Sequence, residues 1–134
     1  MKRLPLLLSI VAITPPSIAH ADDCAHATTQ AAMTLCADQA YRNADAEMNV
    51  VYRQVLGRLK GDKDGTQLLV TAQRRWLAFR DAECARSTSA SAQGSIHSML
   101  LSQCRADLTR KRIGELEAYR QCQQGDLSCQ VLGP

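Results

Sequence analysis

Six cysteines, Cys24, Cys36, Cys84, Cys104, Cys122 and Cys129, are the side chains of this sequence best suited to chemistry, and their spacing restricts what that chemistry is. No Cys-x-x-Cys occurs, and neither His26 nor His97 sits with a cysteine pair at a zinc-site spacing, so no metal centre is expected. An even number of cysteines in an exported chain reads instead as three disulfides formed in an oxidising compartment. Half-cystines are not available as nucleophiles. The carboxylates offer little more: Asp45 and Glu47, like Asp81 and Glu83, stand two residues apart and point to different sides of a helix. His26 and His97 lack a context that fixes a triad, so neither catalytic residues nor a cofactor are expected.

Export is read from residues 1–21. Lys2 and Arg3 form a positive start, Leu4 to Ile18 an apolar stretch broken by Pro5, Pro15 and Pro16, and Ala19-His20-Ala21 a small-x-small cleavage site. The stretch is shorter than the roughly 20 apolar residues that span a membrane, so stable insertion is not expected. Cys24 follows Ala21-Asp22-Asp23, without the leucine and small residues that precede a lipidated bacterial cysteine. The remainder, residues 22–134, is expected to be one helical domain whose tail becomes irregular from about residue 120.

The whole chain carries 16 Lys+Arg against 13 Asp+Glu. Cleavage removes Lys2 and Arg3 and leaves it near balance, without the broad positive field of a nucleic-acid binder. Arg74-Arg75 and Arg110-Lys111-Arg112 read as solvated helix faces. Five aromatic residues, Tyr41, Tyr52, Trp76, Phe79 and Tyr119, are too few to line a large cofactor pocket or a base-stacking platform.

The elements that position these residues are helices. From about Thr29 to Leu59, Met33, Cys36, Ala40, Ala44, Met48, Val51, Val55 and Leu59 recur at spacings of three and four, which predicts one long amphipathic helix. Gly61-Asp62-Lys63-Asp64-Gly65 predicts a turn. A second helix is predicted from about Thr66 to Arg86, packed on the first through Leu69, Ala72, Trp76, Phe79 and Glu83 with Leu68 and Ala82 at the flank of that face, and with Trp76 and Phe79 as core anchors. Ser87 to Ser95 reads as a flexible connection, and a third helix runs from about Ile96 to Tyr119 with Leu100, Cys104, Leu108, Leu116 and Tyr119 inward. The fold class is therefore all-α: a small three-helix antiparallel bundle stapled by disulfides.

Six cysteines allow fifteen pairings. In a hairpin turning near Asp62, Cys36 and Cys84 reach the same end, which favours Cys36–Cys84 and leaves Cys24–Cys104 and Cys122–Cys129. Asp45 and Asn49 on the first helix, and Gln73 and Arg80 on the second, suggest a polar cluster between them with Arg80 held by a carboxylate.

Three segments are more specific than amphipathicity requires. They are Asp45-Ala46-Glu47-Met48-Asn49-Val50-Val51-Tyr52, the string Ala72-Gln73-Arg74-Arg75-Trp76-Leu77-Ala78-Phe79-Arg80-Asp81-Ala82-Glu83-Cys84, and Gly94-Ser95 followed by Cys104, Thr109, Arg112 and Leu116. With Met33 and Cys36, this order resembles the LprI-like lysozyme-inhibitor family, small exported helical proteins of bacteria, from about Cys24 to Leu116. The resemblance implies a compact cysteine-linked helical domain in which Asp45, Asn49, Tyr52, Gln73, Trp76, Phe79, Arg80, Asp81 and Arg112 are motif residues with structural roles. It also implies a periplasmic or secreted protein that occludes a lysozyme-type hydrolase. A glycosidase of that type works with two carboxylates in a cleft, which a donor-rich protrusion can block. The connection Ser87–Ser95, with Arg86 and His97 beside it, is the candidate protrusion, and Arg86, Ser87, Ser95 and His97 are its candidate partner-binding residues. The competing class is an envelope interaction or structural module, or an immunity protein against a secreted effector.

Overall fold

The structure, a computed structural model, describes residues 24–122. The expected signal at residues 1–21 and Cys129 lie outside the described residues. Three long helices follow one another: α1 (Gln30–Arg58), α2 (Lys63–Ser87) and α3 (His97–Gln121), with a single 3-10 turn at Ser89–Ser91 before α3. Their bounds follow local chemistry. Thr29 Oγ1 accepts from Ala32 N at 3.2 Å and caps α1, and Asp62 Oδ1 accepts from Gly65 N at 2.8 Å and caps α2. Between them Gly61 takes φ 98°, a left-handed conformation that costs glycine little. A Cβ at Gly65 would overlap the Asp62 carboxylate and push it out of its capping position.

The helices run up, down and up. Gln30 Nε2 reaches Met99 Sδ at 3.6 Å at one end, and Arg58 donates to Arg120 O (2.5 Å) and Cys122 O (2.6 Å) at the other, so α1 and α3 are parallel. The Arg58 guanidinium also satisfies carbonyls that the end of α3 leaves open. The backbones of α1 and α3 lie close along much of their length, whereas α2 approaches α3 less and hardly approaches α1. Side-chain size accounts for the difference. Ala37, Ala44, Ala106 and Thr109 are buried small residues on α1 and α3 and permit close approach. The buried residues of α2 include Gln73 and Arg80, whose length holds its backbone away from the other two helices.

The two ends of the bundle are held differently. Towards the α1–α2 turn, Met48, Val51, Val55, Leu59, Leu69, Ile113 and Leu116 form one apolar cluster, with Tyr52, Leu56, Trp76, Leu77 and Tyr119 packed around it. Towards the α2–α3 connection lie two disulfides, Cys24–Cys36 and Cys84–Cys104, with Cα–Cα distances of 5.5 and 5.6 Å. The expected pairs Cys36–Cys84 and Cys24–Cys104 are thus corrected. Cys36 and Cys84 do share an end, but equal height along a hairpin is insufficient: a disulfide needs Cα atoms about 5.5–6 Å apart, and α1 and α2 do not come that close. Cys122 is also disulfide-bonded, and its expected partner Cys129 lies outside the described residues.

The inward faces of α2 and α3 are corrected too. On α2 the buried positions are Leu69, Gln73, Arg80 and Cys84 rather than a face through Ala72, Phe79 and Glu83. On α3 they are Met99, Ala106, Thr109, Arg112, Ile113 and Leu116, with Leu100, Cys104 and Leu108 only half-buried. In both helices a hydrophobicity pattern passes over polar residues that are buried because each has a partner.

Candidate binding surface

The α2–α3 connection is anchored on Cys84, in the last turn of α2. Thr88 donates from both N (3.2 Å) and Oγ1 (2.7 Å) to Cys84 O, which closes α2 immediately beside the buried Cys84–Cys104 bond. Turn hydrogen bonds then follow in series: Ser91 N to Thr88 O, Ala92 N to Ser89 O, Gly94 N to Ser91 O and His97 N to Gly94 O, all between 2.7 and 3.1 Å. The Ser91 hydroxyl donates to Thr88 O at 2.8 Å and lies 3.2 Å from His97 Nδ1. The expectation of a flexible linker is therefore corrected: a Ser-rich composition here serves local hydroxyl-to-backbone bonding, and the segment is tied at both ends.

The four candidate contact residues differ in what they leave free. Ser87 Oγ is 3.3 Å from Cys84 O and 3.6 Å from Cys104 Sγ, so its hydroxyl faces the disulfide. His97 is half-buried against Ser91. Ser95 is exposed, and Arg86 is exposed but paired with Glu83 through Nε at 3.1 Å and Nη2 at 2.5 Å. That pair holds the Glu83 carboxyl below its ordinary value and raises the Arg86 guanidinium. Together these residues make a preorganised, donor-bearing rim at the disulfide-stapled end.

Behind the rim, between α2 and the α1–α3 pair, arginines and aromatic rings alternate in a column. Arg105 Cζ lies 5.9 Å from the Tyr41 ring centroid and Arg80 Cζ 5.2 Å from the same ring. Arg80 and Arg112 then flank the Trp76 ring at 5.5 and 5.8 Å, and Arg112 lies 6.0 Å from the Tyr119 ring. Each such contact is worth about 0.5–2 kcal/mol, the more the less water surrounds it. The buried guanidiniums are also paired. Arg80 Nη1 donates to Asp45 Oδ1 at 3.0 Å and Thr109 Oγ1 at 3.3 Å, and its Nε to Asp81 Oδ1 at 3.1 Å. Burial pulls the Arg80 pKa down, but the hydrogen bonds to Asp45 and Asp81 outweigh it and the net shift is upward. Arg112 donates to Gln73 Oε1 at 3.0 Å and Glu115 Oε2 at 2.6 Å, while Gln73 Nε2 reaches Met48 Sδ at 3.4 Å. Arg105 Nε is 3.3 Å from Asp81 Oδ1, close enough for attraction but outside hydrogen-bonding geometry.

The motif residues sort clearly against this geometry. Asp45, Gln73, Trp76, Arg80, Asp81 and Arg112 converge in the column, and Asn49 supports it by donating to Asp45 Oδ2 at 3.2 Å. Tyr52 packs on the apolar cluster, and burial raises its phenol pKa against the lowering field of Arg74. Phe79 does not join them: it is 55% exposed on the outer face of α2, so its expected role as a core anchor is corrected. It lies on the same flank of α2 as Trp76 but about 60° further round the helix from the buried Gln73–Arg80 line. Sequence reasoning missed Arg105, Tyr41 and Glu115 as members of the column. The only available signal was their helical register with Arg112 and Asp45, which is visible once α1 and α3 are known to be parallel. Among the described residues no cluster of His, Cys, Asp or Glu gathers in a way that could hold a metal ion, and no helix is long and apolar enough to cross a membrane.

Residues 21–116 match the family described as lysozyme inhibitor LprI. The chain belongs to the LprI family. The match takes in α1, α2, the connection and α3 as far as Leu116, and stops before Cys122. An uncharacterized protein of Rhizobium meliloti (strain 1021) is 38% identical over 126 residues, covering 84% of this chain and 91% of its own length. No solved structure matches. The family's description is that of a lysozyme inhibitor, and together with the disulfides the membership points to a protein that works outside the cytoplasm.

Proposed function

We propose that this LprI-family chain is exported by cleavage of residues 1–21 and acts in the periplasm or as a secreted protein, where it occludes a lysozyme-type glycosidase without chemistry of its own. The family match over residues 21–116 carries this reading. The connection from Ser87 to His97 suits the task, because its turns are hydrogen-bonded and its base is fixed by Cys84–Cys104. A segment already held in one shape loses little conformational freedom on binding. Arg86 and Ser95 supply exposed donors for the carboxylates of a glycosidase cleft, while Ser87 and His97 shape the loop that presents them.

The test is inhibition of a chicken-type lysozyme and of one cell-wall hydrolase from the source bacterium by the oxidised exported protein. Inhibition is expected, it is expected to disappear on reduction, and Arg86→Ala or Ser95→Ala should weaken it about tenfold at unchanged helicity. Failure to inhibit either enzyme while the helices remain intact overturns the reading in favour of an envelope interaction module.

A further inference from the structure

Phe79 is an aromatic residue of the most specific string in the sequence, yet the fold makes little use of it. It is 55% exposed, and Leu68 on the same helix is 72% exposed. Positions 68, 72, 75, 79, 82 and 86 fall at spacings of three and four and share one face of α2. Leu68, Ala72, Arg75, Phe79, Ala82 and Arg86, all exposed, therefore form a continuous outer stripe about 27 Å long at the rise of an α-helix. An aromatic and a leucine in such a stripe lack the burial that would explain them as core.

Two further observations say what the stripe fits. The first is charge. Glu83, the acidic residue beside the upper part of the stripe, is taken up by Arg86, whereas Arg75 and its neighbour Arg74 make no ion pair or side-chain hydrogen bond among the described residues. An exposed, unpaired guanidinium one turn from an exposed phenyl ring complements an acidic surface that also offers an apolar recess. The second is shape. Leu68 and Ala72 border an open groove of about 510 Å³, lined also by Trp76 on α2, Arg112 and Tyr119 on α3 and Leu59 at the end of α1. A partner lying on the stripe meets a ridge and an adjoining depression rather than a flat helix.

Resting on the inhibitor reading above, we infer that the outer face of α2, centred on Phe79 and Arg75, docks against the acidic, carboxylate-bearing mouth of the target glycosidase. Phe79 occupies an apolar sugar-binding recess and Arg75 pairs with a carboxylate at its rim. Arg86 ends the stripe where the α2–α3 connection begins, so stripe and loop form one continuous contact surface. The stripe supplies the aromatic and arginine anchors that dominate protein interfaces, which the Ser-rich loop lacks.

Phe79→Ala, Arg75→Glu and, as control, Leu35→Ala on α1 are compared with the parent protein for inhibition and direct binding of the same hydrolases. Leu35 is 71% exposed, so all three changes are at exposed side chains and unchanged circular dichroism and melting temperature are expected. Binding is expected to weaken about thirtyfold for Phe79→Ala and about tenfold for Arg75→Glu, with Leu35→Ala at parent affinity. If the parent binds and both stripe variants bind equally well, the stripe proposal falls and the inhibitor reading stands. If Phe79→Ala weakens binding but Arg75→Glu does not, the acidic partner is wrong and the proposal falls. If the parent itself binds neither hydrolase, both fall together.

Discussion

The turn end and the loop end of the bundle solve the same problem by different means. At the turn end Val55, Leu59, Leu69 and Leu116 are buried against one another, and apolar burial of a few kcal/mol per residue holds the helices together. At the loop end the buried apolar residues are Ala37, Met99 and Ala106, which are few and mostly small, and Cys24–Cys36 and Cys84–Cys104 supply the restraint instead. A polar connection of serines contributes almost nothing to a core. Covalent bonds at its base let the chain display that connection without surrendering its position. The disulfides close short loops, with separations of 12 and 20 residues: Cys24–Cys36 pins the segment before α1 to that helix, Cys84–Cys104 joins α2 to α3, and neither ties α1 to α2.

This contrast predicts which end fails first. Loss of Cys24–Cys36 and Cys84–Cys104, by replacing these four cysteines with serine, should have the largest effect, at about 3 kcal/mol for each bond. Hydrogen exchange should then show the first turns of α1 and residues 84–97 opening while amides around Val55 and Leu116 stay protected. Simultaneous loss of protection at both ends would break the distinction. Next comes Leu116→Ala, which removes a fully buried side chain from the turn-end cluster and should cost about 2–5 kcal/mol. With the disulfides intact, hydrogen exchange of this variant should show the apolar end loosening first, the reverse of the four-serine protein.

The smallest effect concerns Tyr52, at the edge of the apolar cluster. Its raised pKa means that the folded state holds the phenol proton more tightly than the unfolded chain. The stability this contributes is complete below the ordinary value of 10.0 and is lost as pH rises through the raised value. A Tyr52→Phe protein should therefore fall less steeply in stability above pH 10 than the parent, which denaturant titrations at stepped pH will show.

The same division explains how much was legible in the sequence. Three helices, the turn at Gly61 and most of the inward face of α1 follow from apolar spacing, because the turn-end cluster is ordinary hydrophobic burial. The inward faces of α2 and α3 do not. Gln73, Arg80 and Arg112 are buried as partners of one another's elements, and a pattern read from hydrophobicity places such residues outside. That rotation of α2 is also why Phe79 was expected inside. Arg80 with a carboxylate was readable, since Asp45 lies at matching height on the hairpin. Arg105 and Tyr41 were not, because their meeting depends on α1 and α3 being neighbours in parallel. The disulfide pattern failed for the same reason: height along a helix is one-dimensional, and pairing also depends on which helices stand close.

The column of arginines and rings has a mechanical consequence. It acts as a shim of fixed thickness: flat guanidinium and aromatic plates, wedged between one helix and the other two, set how far that helix stands proud. Guanidinium groups keep their charge across all physiological acidity, so this spacer does not swell or slacken when its surroundings turn acidic, as one built on histidines would. The helix it props up is thereby carried like a rail at constant height, whatever the pH of the compartment in which the protein meets its partner.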